Sequence, residues 1–176
     1  MSPAQPSDLE SLPYRPCIGI TLINADGLVF VGHRITSDER VHWQMPQGGI
    51  DHGESPRQAA LRELGEEVGT TKADIIAEAR DWLTYELPRP MVGRALRGRF
   101  RGQKQKWFAL RFRGTDADVN LTAHQPPEFD DWKWVKLSEV VDLIIPFKRM
   151  VYEQVVKEFA SLAVPLTTRS SPAGSG

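Results

Sequence analysis

The sequence predicts an α+β fold, one mixed sheet covered by helices, and three observations carry that expectation. Short β-branched and aromatic runs recur on both sides of one sharply punctuated helix. A second helix with an apolar stripe follows near the end of the chain. Strands and helices do not alternate regularly, which argues against βαβ repetition. The chain has 176 residues, enough to bury one core but not two. Residues 14 to 163 therefore read as one domain, and 1 to 13 and 164 to 176 as flexible tails, because Pro-, Ser- and acid-rich or small polar segments bury too little surface to order themselves.

Each element has its own signal. Cys17 to Ile23 is a β-branched apolar run, Asn24-Ala25-Asp26-Gly27 supplies turn residues, and Leu28 to Val31 resumes the pattern, so a hairpin is expected. His42 to Gly49 is a short apolar piece ended by Pro and Gly, and Asp51 to Glu54 reads as loop. A helix over 56 to 68 follows, with Ser55 as N-cap, Pro56 at the first helical position, Gln58 completing a capping box and Gly69 as the left-handed terminator. Strands are expected near Ile75 to Ala79, Trp82 to Leu87, Gln105 to Phe112 and Trp132 to Leu137, with Ser138 capping a short helix through Leu143. After Pro146, the residues Phe147, Val151, Val155, Phe159 and Leu162 recur at helical spacing.

Composition removes several classes of function. With 22 Lys+Arg against 23 Asp+Glu the net charge is -1, so attraction to a polyanion has to come from local clustering. Cys17 alone forms no internal disulfide, and the first residues lack the basic start and apolar run of a secretory signal, so a cytoplasmic location is expected. No apolar stretch approaches the roughly 18 to 20 residues that cross a bilayer, so no membrane span is expected. His33, His42, His52 and His124 have no metal-ligand spacing. Gly98, Gly102 and Lys104 fail the spacing of a phosphate-binding loop, and no Ser or Cys stands in a nucleophile motif.

The chemistry concentrates on the first helix. At about 100° per residue, Glu63, Glu66 and Glu67 share an arc of roughly 100°, while Ala60, Leu61, Leu64 and Val68 fill the adjoining one. Like charges at this spacing repel, and a hard divalent cation removes the repulsion. Oxygen-only ligands select magnesium or manganese over zinc. An acidic surface helix, with Arg62 paired to Glu66, is the plain alternative when the run is read alone.

Gly48, Glu54, Arg62-Glu63-Leu64, Glu66-Glu67 and Gly69 together match G-x5-E-x7-R-E-U-x-E-E-x-G-U at every fixed position, where U is apolar. The chain thereby resembles the Nudix hydrolases. Thr70 departs from the last apolar position, and Gly65 is a poor helix former at a free one. The resemblance implies a Nudix fold, an α/β/α sandwich with a loop-helix-loop box, and hydrolysis of a nucleoside diphosphate linked to another moiety.

Outside the box, Tyr14-Arg15-Pro16, Trp43 to Gly49, Gly102 to Phe108, Glu128-Phe129 with Trp132, and Phe147-Lys148-Arg149 look like the bacterial RNA pyrophosphohydrolase branch. Plant-type diadenosine tetraphosphate hydrolases share much of this pattern, so an RNA 5′ end and a dinucleoside polyphosphate both stand as substrates. The resemblance implies that Glu63, Glu66, Glu67 and Glu128, with the Gly48 carbonyl, hold divalent metal, Mg2+ or Mn2+. It further implies that Arg62 orients the carboxylates, that Glu54 anchors the loop, and that Arg15, Arg34 and Lys148 grip the phosphate chain. Gln47, Lys106 and Tyr85 complete the substrate-binding candidates; Tyr85 would stack on a base, its alternative being half-buried strand packing. Seven basic residues between Arg89 and Lys106, with no acidic one among them, form a segment that could attract RNA. The complete carboxylate set argues against a non-catalytic binding module.

Overall fold

A computed structural model describes residues 10–35 and 42–166. Most of both expected tails, 1–9 and 167–176, lies outside the described residues. Their inner ends do make contacts: the Arg101 side chain donates to the Glu10 carbonyl (2.8 Å) and the Leu166 N–H to the Ala25 carbonyl (2.9 Å).

Among the described residues eight strands form one sheet: β1 (Tyr14–Ile23), β2 (Val29–Arg34), β3 (Trp43–Gln44), β4 (Gln47–Gly49), β5 (Ala73–Glu78), β6 (Leu83–Glu86), β7 (Gly102–Phe112) and β8 (Phe129–Val135). The central pair β1 and β7 is parallel, while the other pairings are antiparallel, so the sheet is mixed as the sequence implies. Asn24 holds the first hairpin by accepting from Asp26 N–H and Leu28 N–H, both at 3.0 Å.

Strand alternation divides the core. Ile18, Ile20, Leu22, Phe108 and Leu110 face helix α1 (Pro56–Glu67), which packs through Ala59, Ala60, Leu64 and the following Val68. Leu61, expected in that packing arc, is 44% exposed; the helix is rotated so that Ala59 takes the buried place. On the opposite face, Val31, Met45 and Trp107 pack against helix α3 (Arg149–Phe159) through Val151, Tyr152, Val155 and Phe159. A short α2 (Val140–Leu143) precedes it. Ser138 does not cap α2: it sits inside a 3-10 turn, Leu137–Glu139, where Glu139 accepts from the Lys136 N–H (2.9 Å). No helix among the described residues is long and apolar enough to cross a membrane.

Candidate active site

Caps fix the ends of α1, and the packing of Ala59, Ala60, Leu64 and Val68 on the sheet fixes its rotation. Ser55 Oγ accepts from the Gln58 N–H (3.2 Å), the Gln58 side chain accepts from the Ser55 N–H (2.9 Å), and Pro56 occupies the first turn. At the far end Gly69 turns left-handed (φ 78°) directly against the Asn120 carbonyl, where a Cβ would collide. The edge bearing Glu63 and Glu67 is thereby aimed at β4. Gly48 is the complementary surface, because a side chain there would occupy the space of the Glu63 carboxyl.

Arg62 is the hub of this edge. Its Nε and Nη2 fork onto Glu54 at 2.8 and 2.9 Å, Nη2 also donates to the Gly49 carbonyl (2.7 Å), and Nη1 reaches Glu63 (2.8 Å) and Glu66 (3.3 Å). Glu54 accepts the Asp51 N–H as well (3.0 Å), which ties the loop to the helix as expected. The Arg62 hydrogen bonds hold the Glu54 carboxyl below its usual range, and Glu54 in turn raises the Arg62 guanidinium.

Glu63, Glu67 and Glu128 are differently placed. Glu67 is buried and accepts the Gln47 N–H (3.2 Å); burial first, then the charges of Glu63 and Glu128, push its carboxyl well above the ordinary carboxylate value. Burial also raises Glu63 against the pull of Arg62. Glu128 arrives from distant sequence because β8 pairs with β2, where the Ile35 N–H donates to its carbonyl (3.2 Å) and Arg34 pairs with its carboxylate at 3.4 Å.

A cavity of about 420 Å³ is lined by Gly48, Glu63, Glu67 and Glu128 together with Arg15, Arg34 and Lys148, and Gln47, Gln103 and Tyr85 also border it. Lys148 is only 3% exposed; its Nζ lies 5.3 Å from the Tyr85 ring and has no ion-pair partner among the described residues. Burial, then the nearby Arg34 charge, pulls its amine down to about 7.

Several sequence-predicted residues stand elsewhere. Lys106 is corrected: alternation along β7 turns it to the face opposite Gln103 and Gln105, where Nζ donates to the Arg80 carbonyl (3.1 Å) and approaches Glu78 (3.6 Å). Tyr85 lines the cavity, but its ring is buried and packed on Phe147 at 5.6 Å, so the packing reading describes it better than base stacking. Arg62 and Glu66 lie beside the cavity rather than in its lining. Gln103 was missed; the period-two run Gln103, Gln105, Trp107 was the available signal of a buried polar face.

Among the described residues no group of three or more His, Cys, Asp or Glu converges tightly enough to hold a metal as it stands. The donors are nevertheless of the right kind: hard oxygens, crowded enough that Glu63 and Glu128 disfavour the charge on Glu67, beside a glycine that leaves them room.

The NUDIX domain family matches residues 13–155. The chain belongs to the Nudix family of hydrolases. Members of this family generally depend on a divalent metal. The chain is 57% identical over 166 residues to a protein of Rhodospirillum rubrum named RNA pyrophosphohydrolase, covering 94% of this chain and 98% of that one. A Novosphingobium aromaticivorans protein of the same name is 54% identical over 153 residues, 86% of this chain and 95% of that one. Among solved structures, the Escherichia coli dihydroneopterin triphosphate pyrophosphohydrolase superposes with a TM-score of 0.63 at 22% identity, covering 82% of this chain and 98% of that one. A Caenorhabditis elegans Ap4A hydrolase gives 0.60 at 21% identity, over 84% and 98%. Both structures establish the Nudix fold.

Proposed function

We propose that this chain is an RNA 5′-pyrophosphohydrolase, which converts a 5′-triphosphorylated RNA end to a 5′-monophosphate in the cytoplasm, through one Nudix domain spanning 14 to 163. The observation that carries the reading is one cavity lined both by the carboxylates Glu63, Glu67 and Glu128 and by Arg15 and Lys148, cations that form no ion pair among the described residues. A substrate with several adjacent negative charges suits this lining: Arg15 and Lys148 would take phosphate oxygens, and the carboxylates would hold a divalent metal that neutralises the remaining charge. Kinship to proteins named RNA pyrophosphohydrolase supplies the choice of RNA.

Glu63, Glu66, Glu67 and Glu128, with the Gly48 carbonyl, would hold magnesium or manganese. The chemistry such an ion supplies there is neutralisation of phosphoanhydride charge and activation of water. The chain's own residues do the rest. Arg62 keeps Glu63 and Glu66 oriented, and Glu66 or Glu67 would accept a proton from the attacking water. Lys148 regains its full charge as a phosphate comes to rest beside it, and Arg15 neutralises the departing end.

The test is catalytic efficiency on a 5′-triphosphorylated oligonucleotide beside diadenosine tetraphosphate, with magnesium, at matched ionic strength. The expected result is preference for the RNA, with release of a 5′-monophosphorylated product. A preference for the dinucleotide greater than about tenfold overturns the RNA reading. Chelation should abolish turnover and magnesium or manganese restore it; restoration by zinc alone overturns the metal assignment.

A further inference from the structure

Two neutral residues of the cavity lining, Gln47 and Gln103, belong to a directional hydrogen-bond chain that none of the charged groups explains. Trp107 Nε1–H donates to Gln105 Oε1 (3.0 Å), and Gln105 Nε2 donates to both Gln103 Oε1 (2.8 Å) and Gln47 Oε1 (3.0 Å). An indole N–H can only donate, so it fixes which end of the Gln105 amide is oxygen. Both Gln105 N–H groups are then committed to its neighbours, and those neighbours must accept through oxygen. The orientation of three amides follows from one donor-only group.

The indole is itself rigid. Gly19 lies flat against it with no room for a Cβ, and Tyr152 meets it edge-on at 5.6 Å. Gln103 is 3% and Gln105 1% exposed, so bulk water does not compete for the chain. Gln47 is tied a second time, through its backbone N–H to Glu67 (3.2 Å), which sets this residue beside one of the cavity's carboxylates. With their oxygens held by Gln105, the Nε2 groups of Gln47 and Gln103 have no acceptor among the described residues, and both residues line the cavity.

We infer that Trp107 and Gln105 form a polarity-setting pair that turns the amide N–H groups of Gln47 and Gln103 toward the cavity, where they make a two-donor subsite for oxygens of the substrate's phosphate chain. The inference rests on the polyphosphate reading of this cavity. Phosphate oxygens only accept, so donors without acceptors suit them, and reversed amides would set carbonyl oxygens against the same anions. Gln47 and Gln103 are contact residues; Gln105 is a positioning residue.

Gln105→Glu tests the polarity directly. A carboxylate still accepts from Trp107 but has no N–H, so both neighbours must turn to donate to it and present oxygen to the cavity. Binding of inorganic tripolyphosphate in magnesium buffer, measured by calorimetry, should weaken by at least about tenfold. KM for a triphosphorylated oligonucleotide should rise in parallel while kcat changes by less than about threefold, as expected for uniform binding. Gln105→Met, which frees the neighbours without reversing them, should fall between wild type and Gln105→Glu. Gln103→Leu deletes one donor and leaves the Trp107–Gln105–Gln47 chain intact; about a threefold to fivefold loss is expected, and this variant carries the test if Gln105→Glu does not fold. Wild-type affinity for tripolyphosphate in the folded variants overturns the inference alone. A wild-type protein that neither binds tripolyphosphate nor cleaves triphosphorylated RNA overturns the functional reading with it.

Discussion

Lys148 lines the cavity and Arg62 lies beside it, and the surroundings of these two cations differ completely. Arg62 is surrounded by Glu54, Glu63, Glu66 and the Gly49 carbonyl, and its charge is favoured. Lys148 is more deeply buried, rests on Tyr85 and Phe147, and has its charge disfavoured. The carboxylates divide the same way: Glu54 is compensated by Arg62, while Glu67 sits among like charges. The difference separates charge that maintains the fold from charge held ready for a ligand. Removing the first kind should lower stability; removing the second should lower activity while leaving the metal-free protein as stable or more so.

The largest expected effect is at Glu67. Glu67→Gln should lower turnover at least about a hundredfold, since an amide is a neutral and poorer ligand and no base. Its folded carboxyl titrates above the unfolded one, so the associated stability is present at low pH and lost as pH rises. The variant in chelator should therefore melt no lower than wild type near neutral pH. Melting and turnover that fall together would break the comparison.

Arg62→Met should do the opposite to stability. It strands Glu54 and Glu63 without their partner, for about 3–5 kcal/mol by analogy with broken buried pairs, which is on the order of 10 °C in a chain of this size. Turnover should fall by about a hundredfold because the carboxylates lose their orientation. An unchanged melting temperature would mean that Arg62 does not hold the helix edge.

Lys148→Met should reduce catalytic efficiency on every polyphosphate substrate by about tenfold or more. In the metal-free protein it should raise the melting temperature, because it removes a buried charge without a partner. The pH profile sharpens this. Lys148 titrates near 7 when folded and near 10.5 when unfolded, so the wild-type protein gains stability as pH rises across that window and loses it as pH falls through about 7. The advantage of Lys148→Met should be greatest below about pH 7 and vanish near 10.5. Differential scanning fluorimetry in chelator across this range checks the sign.

The compensated half of the site was legible because its grammar is local. Ser55, Pro56, Gln58 and Gly69 announce one helix, and fixed spacing from Gly48 to Gly69 announces the box. The other half depends on strand pairing. Glu128 reaches the cavity through the β2–β8 register, and Gln103 through its face of β7. The same alternation explains the error at Lys106: motif membership cannot distinguish neighbouring faces of a strand, whereas Phe108 and Leu110 packing toward α1 does. Leu61 departs from expectation for the helical counterpart of this reason, since composition sets the width of an apolar arc but not its rotation against the sheet.

The smallest expected effect applies the comparison to the basic segment, which proves not to be one patch. Arg101 is compensated: it pairs with Glu86 at 2.5 Å, donates to the Glu10 carbonyl and lies over the Tyr14 ring at 5.1 Å. Lys104 rests on Trp82 at 5.2 Å, and Lys106 is held by Arg80 and Glu78. Arg97 and Arg99 are exposed, have no ion pair among the described residues, and line a second cavity of about 380 Å³ that shares Arg15 and Leu96 with the first. An RNA extends beyond the scissile phosphates and can reach that cavity; a dinucleotide has less chain to offer it. Arg97→Ala with Arg99→Ala should therefore lower efficiency on a triphosphorylated oligonucleotide by about twofold to fivefold, with little change on diadenosine tetraphosphate and no change in melting temperature. For every RNA phosphate that these cations neutralise, the double substitution should also flatten the slope of log affinity against log salt by roughly 0.7. Arg101→Ala should lower the melting temperature and affect both substrates alike, because it frees Glu86 and the N-terminal approach to β1. Equal losses on both substrates from the Arg97 and Arg99 pair would assign those cations to the shared phosphate site, and no loss on either would return them to solvent.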